Sequence, residues 1–217
     1  MNLSLIIATI LILIAYLLGS IPTGYLAGRW LKNIDIREHG SQSTGATNVL
    51  RTLGRSAAIA VLIIDILKGC LAVGLVQIWS ILKINPNLPE NWQSWLVLIT
   101  GISAILGHSK SIFLNFTGGK SVATSIGVLL VMSPVVGLST FGVFGVTIAI
   151  SRIVSLSSIA GAIAVIILMV IFKQPLAYIL FASFAGIYVI IRHRANISRL
   201  LAGTEPRIEE KLSQLES

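Results

Sequence analysis

The sequence predicts an all-α polytopic membrane protein with seven transmembrane helices, the N-terminus outside and the C-terminus cytoplasmic. Three observations carry that prediction. Hydrophobic residues make up 55% of the 217 and charged residues 11%, the composition of a chain dissolved largely in lipid. Long apolar runs recur near 2–28, 56–82, 92–107, 121–151, 153–172 and 174–191. The cations collect on one side of the membrane once 121–151 is counted as two spans.

The first run, Asn2 to Gly28, lacks a basic start, is too long for a signal core and has no small-residue cleavage pattern before Arg29, so it reads as a helix rather than a signal peptide. Its basic flank follows it, which places the N-terminus outside. Gly24 and Gly28 form a G-x-x-x-G pair suited to close helix packing. The second run holds Asp65 and Lys68 at i,i+3 spacing, where an unpaired charge is costly. They read first as an ion pair within the helix and second as groups that orient a site. The single cysteine, Cys70, lies in the same run, so no intramolecular disulfide forms and the thiol reads as a packing group.

The segment from Ser121 to Ser151 has 31 residues, too many for one ordinary span of about 20 and rather few for two. Ser133-Pro134 near its middle marks a hairpin turn. With the hairpin, Arg29, Lys32, Arg37, Arg51, Arg55, Lys110, Lys120, Arg152, Arg192, Arg194, Arg199, Arg207 and Lys211 share one side, and only Lys83 and Lys173 face the other. Without it the split is eight against seven. The positive-inside tendency therefore selects seven spans. No soluble domain remains, and residues 1–217 read as one integral membrane domain with a short basic cytoplasmic tail from 192 to 217. The excess of 16 Lys and Arg over 8 Asp and Glu belongs to cytoplasmic loops and not to a nucleic-acid surface, so the anionic partners are lipid headgroups or a small substrate.

Four polar segments then fall on the cytoplasmic face: "REHGSQSTGATNVLRTLG", "GHSKSIFLNFTGGKSVAT", "SRIVSLSS" and "IRHRANISRLLAGTE". Rich in Gly, Ser, Thr, Asn, His and isolated cations but poor in carboxylates, they suit an anion with many acceptor oxygens, as phosphate has. The Gly118-Gly119-Lys120-Ser121 stretch is not a nucleotide-binding P-loop. Leu114 stands where its first glycine is required, and no strand precedes it. Glycine N–H groups, a lysine and the start of an apolar helix still make an anion cradle. Taken alone, the stretch fits a tight interhelical turn equally. His108 and His193 alone read as interfacial residues satisfied by carbonyls, and Arg192, Arg194 and Arg199 as headgroup contacts or topology anchors.

Taken together, these segments and the buried "DILKG" resemble the bacterial acyl-phosphate:glycerol-3-phosphate acyltransferase family, from about Gly19 to Glu205. The family pattern is roughly G-S-G-N-x-G-A-T-N-x-x-R, G-H-x-F-P-x-F-x-x-F-K-G-G-K-G-V-A-T, S-L-x-S and H-R-x-N-I-x-R-L-x-x-G-x-E. Here Gln42 and Ser43 replace Gly-Asn, Lys110 and Ser111 replace Phe-Pro, Thr117 replaces a basic residue and Ser121 a glycine. The resemblance implies acyl transfer from a long-chain acyl phosphate to the 1-hydroxyl of glycerol 3-phosphate, at the cytoplasmic face of the inner membrane, with membrane lipids as surroundings and neither metal nor cofactor. It implies catalytic roles for His193, Asn196, Ser158 and Lys120. It implies substrate binding by Ser41, Thr47, Asn48, Arg51, His108, Gly118, Gly119, Lys120 and Glu205.

Within that set, Arg51 and Lys120 suit phosphate neutralisation, aided by glycine N–H groups and the Ser41 or Ser158 hydroxyl. Asn48, Asn196 and His193 suit orientation of glycerol phosphate and polarisation of the carbonyl. The H-x-x-x-x-D signature of another acyltransferase class is absent, since Thr44, Phe113 and Ser198 stand five residues beyond the three histidines. The proton of the attacking hydroxyl then goes to a lone histidine or to the leaving phosphate, and the increasing basicity of that phosphate favours it. A transporter for a phosphorylated metabolite is the alternative, but the outer halves of the spans are apolar and no paired broken helices occur. A non-catalytic lipid-binding scaffold would account for the basic face and not for the glycine-rich loop.

Overall fold

The computed structural model describes residues 3–82 and 92–208. Lys83, Lys211 and the end of the basic tail lie outside them. The described residues form ten α-helices: α1 (Leu3–Ser20), α2 (Thr23–Lys32), α3 (Ala46–Leu53), α4 (Arg55–Ile81), α5 (Trp92–Ser109), α6 (Val122–Met132), α7 (Pro134–Ser151), α8 (Val154–Ile171), α9 (Leu176–Arg192) and α10 (Arg194–Leu201). Short 3₁₀ turns occupy Ile36–Glu38 and Ile112–Leu114. No strand is present among the described residues, only an isolated bridge between Ser111 and Thr117.

Four helical stretches, Leu3–Lys32, Arg55–Ile81, Pro134–Ser151 and Val154–Ile171, are long and apolar enough to cross a bilayer. The pair α9–α10, bent by 60°, makes a fifth if counted as one span. Helix α6, with 11 residues, is only about 16 Å long at 1.5 Å per residue. It covers about half of a hydrocarbon core of roughly 30 Å. Large apolar side chains such as Leu13, Ile63, Leu138 and Ile187 stand exposed on the outside, as a lipid solvent requires. The interior is built from small and β-branched residues around Phe181, Met169, Ile105 and Val97.

With lipid as apolar as leucine, helix association depends on close backbone approach and on hydrogen bonds rather than on apolar burial. The α4–α6 seam uses both. A methyl on Gly127 would fall 1.9 Å from the Ile66 carbonyl oxygen, so no side chain fits there. Beside it the Cys70 thiol donates to the Gly127 carbonyl at 3.2 Å, the packing role read from the sequence. About two turns further along α4, the Gln77 amide donates to Val131 O at 2.7 Å. The Ser133-Pro134 turn is also present. Ser133 is extended, Pro134 opens α7 where its missing N–H costs nothing, and α7 folds back on α6.

The first run departs from a single helix over 2–28. Pro22, which has no N–H to donate, separates α1 from α2. The buried pair in α4 repairs the break. Lys68 Nζ lies 2.9 Å from Asp65 Oδ1 and donates to the Ile21 carbonyl at 3.0 Å, while Thr23 Oγ1 donates to Asp65 Oδ1 at 2.6 Å. Gly24 and Gly28 consequently do not face another span. A methyl on Gly24 would sit 2.0 Å from Thr44 O, and one on Gly28 would sit 3.1 Å from Ile34 O, so the pair receives the polar loop that leads into α3.

Candidate active site

A cavity of about 380 Å³ opens where α3, α4, α6, α7, α8 and the α9–α10 junction converge. One flank is apolar, formed by Ile59, Leu62 and Ile66 of α4, Ile126 of α6 and Phe141, Phe144 and Ile148 of α7. The polar part of the lining includes Ser41, Thr47, Asn48, Arg51, His108, Lys120, Ser158, His193, Asn196 and Glu205. Residues from all four polar segments of the sequence therefore share one space.

The glycine-rich loop is held from two sides. Gly119 N–H donates to the His108 carbonyl at 3.2 Å, and the Arg192 guanidinium donates to the Gly118 and Gly119 carbonyls at 3.2 and 3.1 Å. Methyl groups on Gly118 and Gly119 would each lie 2.2 Å from His108, the first from its carbonyl oxygen and the second from ring Nε2. The glycines are thus needed for contact with the end of α5. Arg192, read from the sequence as an anchor, is a clamp on this loop; only its adjacency to His193 hinted at the role. At the loop's other edge the Arg37 guanidinium reaches Thr117 Oγ1 at 3.4 Å, and Arg37 hydrogen-bonds Asp35 and holds its carboxyl down at about 2.

Two departures from the family pattern fall at left-handed backbone. Gln42 has φ 56° and Ser121 φ 63°, conformations that glycine adopts freely and other residues at a cost of roughly 1–2 kcal/mol. Ser121 offsets part of this by donating its hydroxyl to Ile105 O at 2.9 Å. The loop thus keeps a glycine-like shape without the glycine.

Lys120 enters the cavity and hydrogen-bonds Asn196 Oδ1. Burial, reinforced by Arg199, Arg51 and Arg192 and opposed by Glu205, pushes the ammonium pKa down to about 8. Burial likewise lowers Arg51, beside Thr47 on α3, although a guanidinium stays charged. Asn196 Nδ2 in turn donates to Glu205 Oε1 at 2.6 Å. Ser155 Oγ donates to the same oxygen at 2.8 Å, and Arg199 Nε donates to Oε2 at 2.7 Å. Burial alone would raise the Glu205 carboxyl, but these three donors hold it below its ordinary value. Glu205 therefore orders Asn196, Ser155 and Arg199, and Arg199 is its partner rather than a free headgroup contact. A carboxylate with three donors serves the site by orienting its neighbours.

Asn48 has a comparable task. Its Oδ1 accepts from Ser41 N at 2.7 Å, and its Nδ2 donates to Ile36 O, His39 O and Ser43 O within 3.0 Å. Its side chain shapes the loop that presents Ser41. Ser158 Oγ donates to Val154 O at 2.9 Å and retains its acceptor capacity. His193 Nδ1 lies 2.7 Å from Val189 O. A carbonyl only accepts, so Nδ1 carries a proton and Nε2 of the neutral ring presents a lone pair. Among the described residues no group of three His, Cys, Asp or Glu is placed to hold a metal ion.

An apolar lining beside a buried cluster of cations and hydroxyls, all within an apolar helical bundle, defines a membrane protein with a cavity suited to an amphipathic anion. The chain belongs to the glycerol-3-phosphate acyltransferase family, whose model matches residues 9–203, and it is an acyltransferase. It is 65% identical over 207 residues to the glycerol-3-phosphate acyltransferase of Nostoc sp. (strain PCC 7120), covering 93% of this chain and 92% of that one. To that of Crocosphaera subtropica it is 60% identical over 209 residues, covering 96% and 97%. It also resembles the crystal structure of PlsY (YgiH), an integral membrane glycerol 3-phosphate acyltransferase, in two forms. The glycerol 3-phosphate form superposes with a TM-score of 0.82 at 36% identity, covering 92% of this chain and 94% of that one. The lysophosphatidic acid form superposes with a TM-score of 0.80 at 36% identity, covering 94% and 98%.

Proposed function

We propose that the protein transfers a fatty acyl group from a long-chain acyl phosphate to the 1-hydroxyl of glycerol 3-phosphate, giving lysophosphatidic acid and inorganic phosphate. The observation that supports this most is a single cavity lined both by Arg51 and Lys120 and by apolar side chains of α4, α6 and α7. Two phosphates and one acyl chain meet there. The hydroxyl oxygen attacks the acyl carbon, the carbon–oxygen bond to phosphate breaks, and the hydroxyl proton passes to the departing phosphate. The O–H of the attacking hydroxyl points at that phosphate, while His193 Nε2 accepts from the other hydroxyl of the glycerol and so orients it, Ser158 and Asn196 fix the glycerol, and Lys120 stabilises charge on the leaving group. The short polar loops offer little room for an adenine pocket, so acyl phosphate is expected to be used and acyl coenzyme A not; comparable turnover with both donors would overturn the assignment of the donor.

The pKa of Lys120 gives a signed prediction. Cavity cations recruit the phosphate, and a phosphate ester is a dianion above about pH 6. As pH rises through about 8 the free enzyme loses the Lys120 charge, so kcat/KM for glycerol 3-phosphate is expected to fall there. Lys120→Arg, charged throughout, is expected to remove that alkaline limb even if its absolute rate is lower. A limb unchanged in Lys120→Arg would assign it to another group.

We further infer an inner-membrane topology with the cavity facing the cytoplasm. The thirteen-to-two charge split supports it, and the α6–α7 hairpin returns Arg152 to the side from which α6 departs, the parity of the seven-span reading. In a Cys70→Ala background, Ser198→Cys is expected to react only with reagent on the cytoplasmic side and Leu82→Cys only from outside. Labelling of both from one side would discard this topology.

A further inference from the structure

The buried Asp65–Lys68 pair does more than close the α1–α2 break. Asp65 is 1% exposed and lines the cavity with His108 and Lys120, an awkward place for a carboxylate in a site built for anions. Lys68 at 2.9 Å neutralises it. The other neighbour is His108, whose Nδ1 lies 3.7 Å from Asp65 Oδ1, beyond a hydrogen bond, and is buried with no hydrogen-bond partner. A bare Nδ1 lone pair facing an ionised carboxylate at that distance is repelled, and an N–H is attracted. The charge of Asp65 therefore selects the Nδ1–H tautomer of His108. The opposite nitrogen, Nε2, is the atom against which Gly119 packs, at the place where a methyl would fall 2.2 Å away.

We propose that Asp65 is a positioning residue for the acyl transfer. It fixes the tautomer and the ring placement of His108, and the His108 ring and carbonyl set the position of Gly118, Gly119 and Lys120. His108 Nε2 is then left as an acceptor beside the glycine loop, suited to a hydroxyl of the acceptor substrate. This inference rests on glycerol 3-phosphate being that substrate, and part of its test is independent of activity.

The alternative is that Asp65 is only the counter-ion of Lys68, and a neutral pair separates the two. Asp65→Asn combined with Lys68→Met removes both charges at nearly constant shape, so no charge is left unpaired in the membrane. The double variant gives up the Lys68 bond to the Ile21 carbonyl and is expected to fold with a lowered melting temperature in detergent, while raising KM for glycerol 3-phosphate at least about 10-fold. In a His108→Asn background, the same pair of changes is expected to add less than 2-fold. Wild-type kinetics in the folded neutral pair, or an undiminished additional loss without His108, would reduce Asp65 to a counter-ion. If the neutral pair does not fold, the unmutated protein decides. With ¹⁵N-labelled histidine and the His108 signals identified by their absence in His108→Asn, Nδ1 is expected to be the protonated nitrogen and Nε2 the bare one. The reverse tautomer would overturn the proposal, whatever the enzyme's activity.

Discussion

Lys120→Ala and Arg51→Ala are each expected to lower kcat/KM for glycerol 3-phosphate by at least about 30-fold. Both cations line the cavity, and Lys120 already spends a hydrogen bond on Asn196. A phosphate brought into this desolvated cluster loses water on every side. Removing one partner of such a charge pair costs roughly 2–5 kcal/mol, and each 1.4 kcal/mol is about tenfold in rate. Folded yield should be unaffected, since neither residue belongs to the helix seams. Arg194, exposed at the start of α10, is the control, and Arg194→Ala should retain most activity. Near-normal kinetics in both cavity variants would return Arg51 and Lys120 to the role of membrane-flanking charges.

Gly118→Ala should be still more damaging, about 100-fold in kcat/KM. The added methyl would lie 2.2 Å from His108 O and 3.0 Å from the Ser109 carbonyl carbon. Both are backbone atoms at the end of a packed helix, so the loop must move instead of its neighbour. Lys120 moves with it, and a displacement of about 1 Å at a reacting centre can cost on the order of 100-fold. Gly142→Ala, in α7 where a methyl meets nothing within 4 Å, should change little. Melting curves recorded alongside the kinetics separate a displaced loop from an unfolded protein. A folded Gly118→Ala with wild-type kinetics would show that the loop does not set the position of Lys120.

Much of this arrangement was legible in the residues because lipid is a strict solvent. The apolar runs foretold α4, α5, α8 and α9 to within a few residues, and Ser133-Pro134 marked the hairpin. The turn at Pro22 is legible in principle, but an unbroken apolar run outweighs a single proline, and the spacing of Gly24 and Gly28 points to a neighbouring span although the pair receives a loop. Asp65 and Lys68 were recognised as a pair from their spacing, whereas the carbonyl of Ile21, the hydroxyl of Thr23 and the ring of His108 come from distant segments that no periodicity connects. The same holds for the site. Most motif residues line the cavity as their clustering on one face suggests, but Gly118 and Gly119 pack against His108 instead, an arrangement set by contacts made across the fold. Asn48 and Glu205 look like ligands in a list of polar residues. In space they are occupied, Asn48 with the Ile36–Ser43 backbone and Glu205 with Ser155, Asn196 and Arg199.

The proposed acyl transfer is tested most directly by product analysis. Protein purified in detergent is given a long-chain acyl phosphate and glycerol 3-phosphate, and lysophosphatidic acid and inorganic phosphate are measured together. The two are expected to appear in equal amounts, and only when glycerol 3-phosphate is present. Folded protein that forms no lysophosphatidic acid, or that moves glycerol 3-phosphate across a proteoliposome membrane without acylating it, would contradict the assignment and favour a transporter.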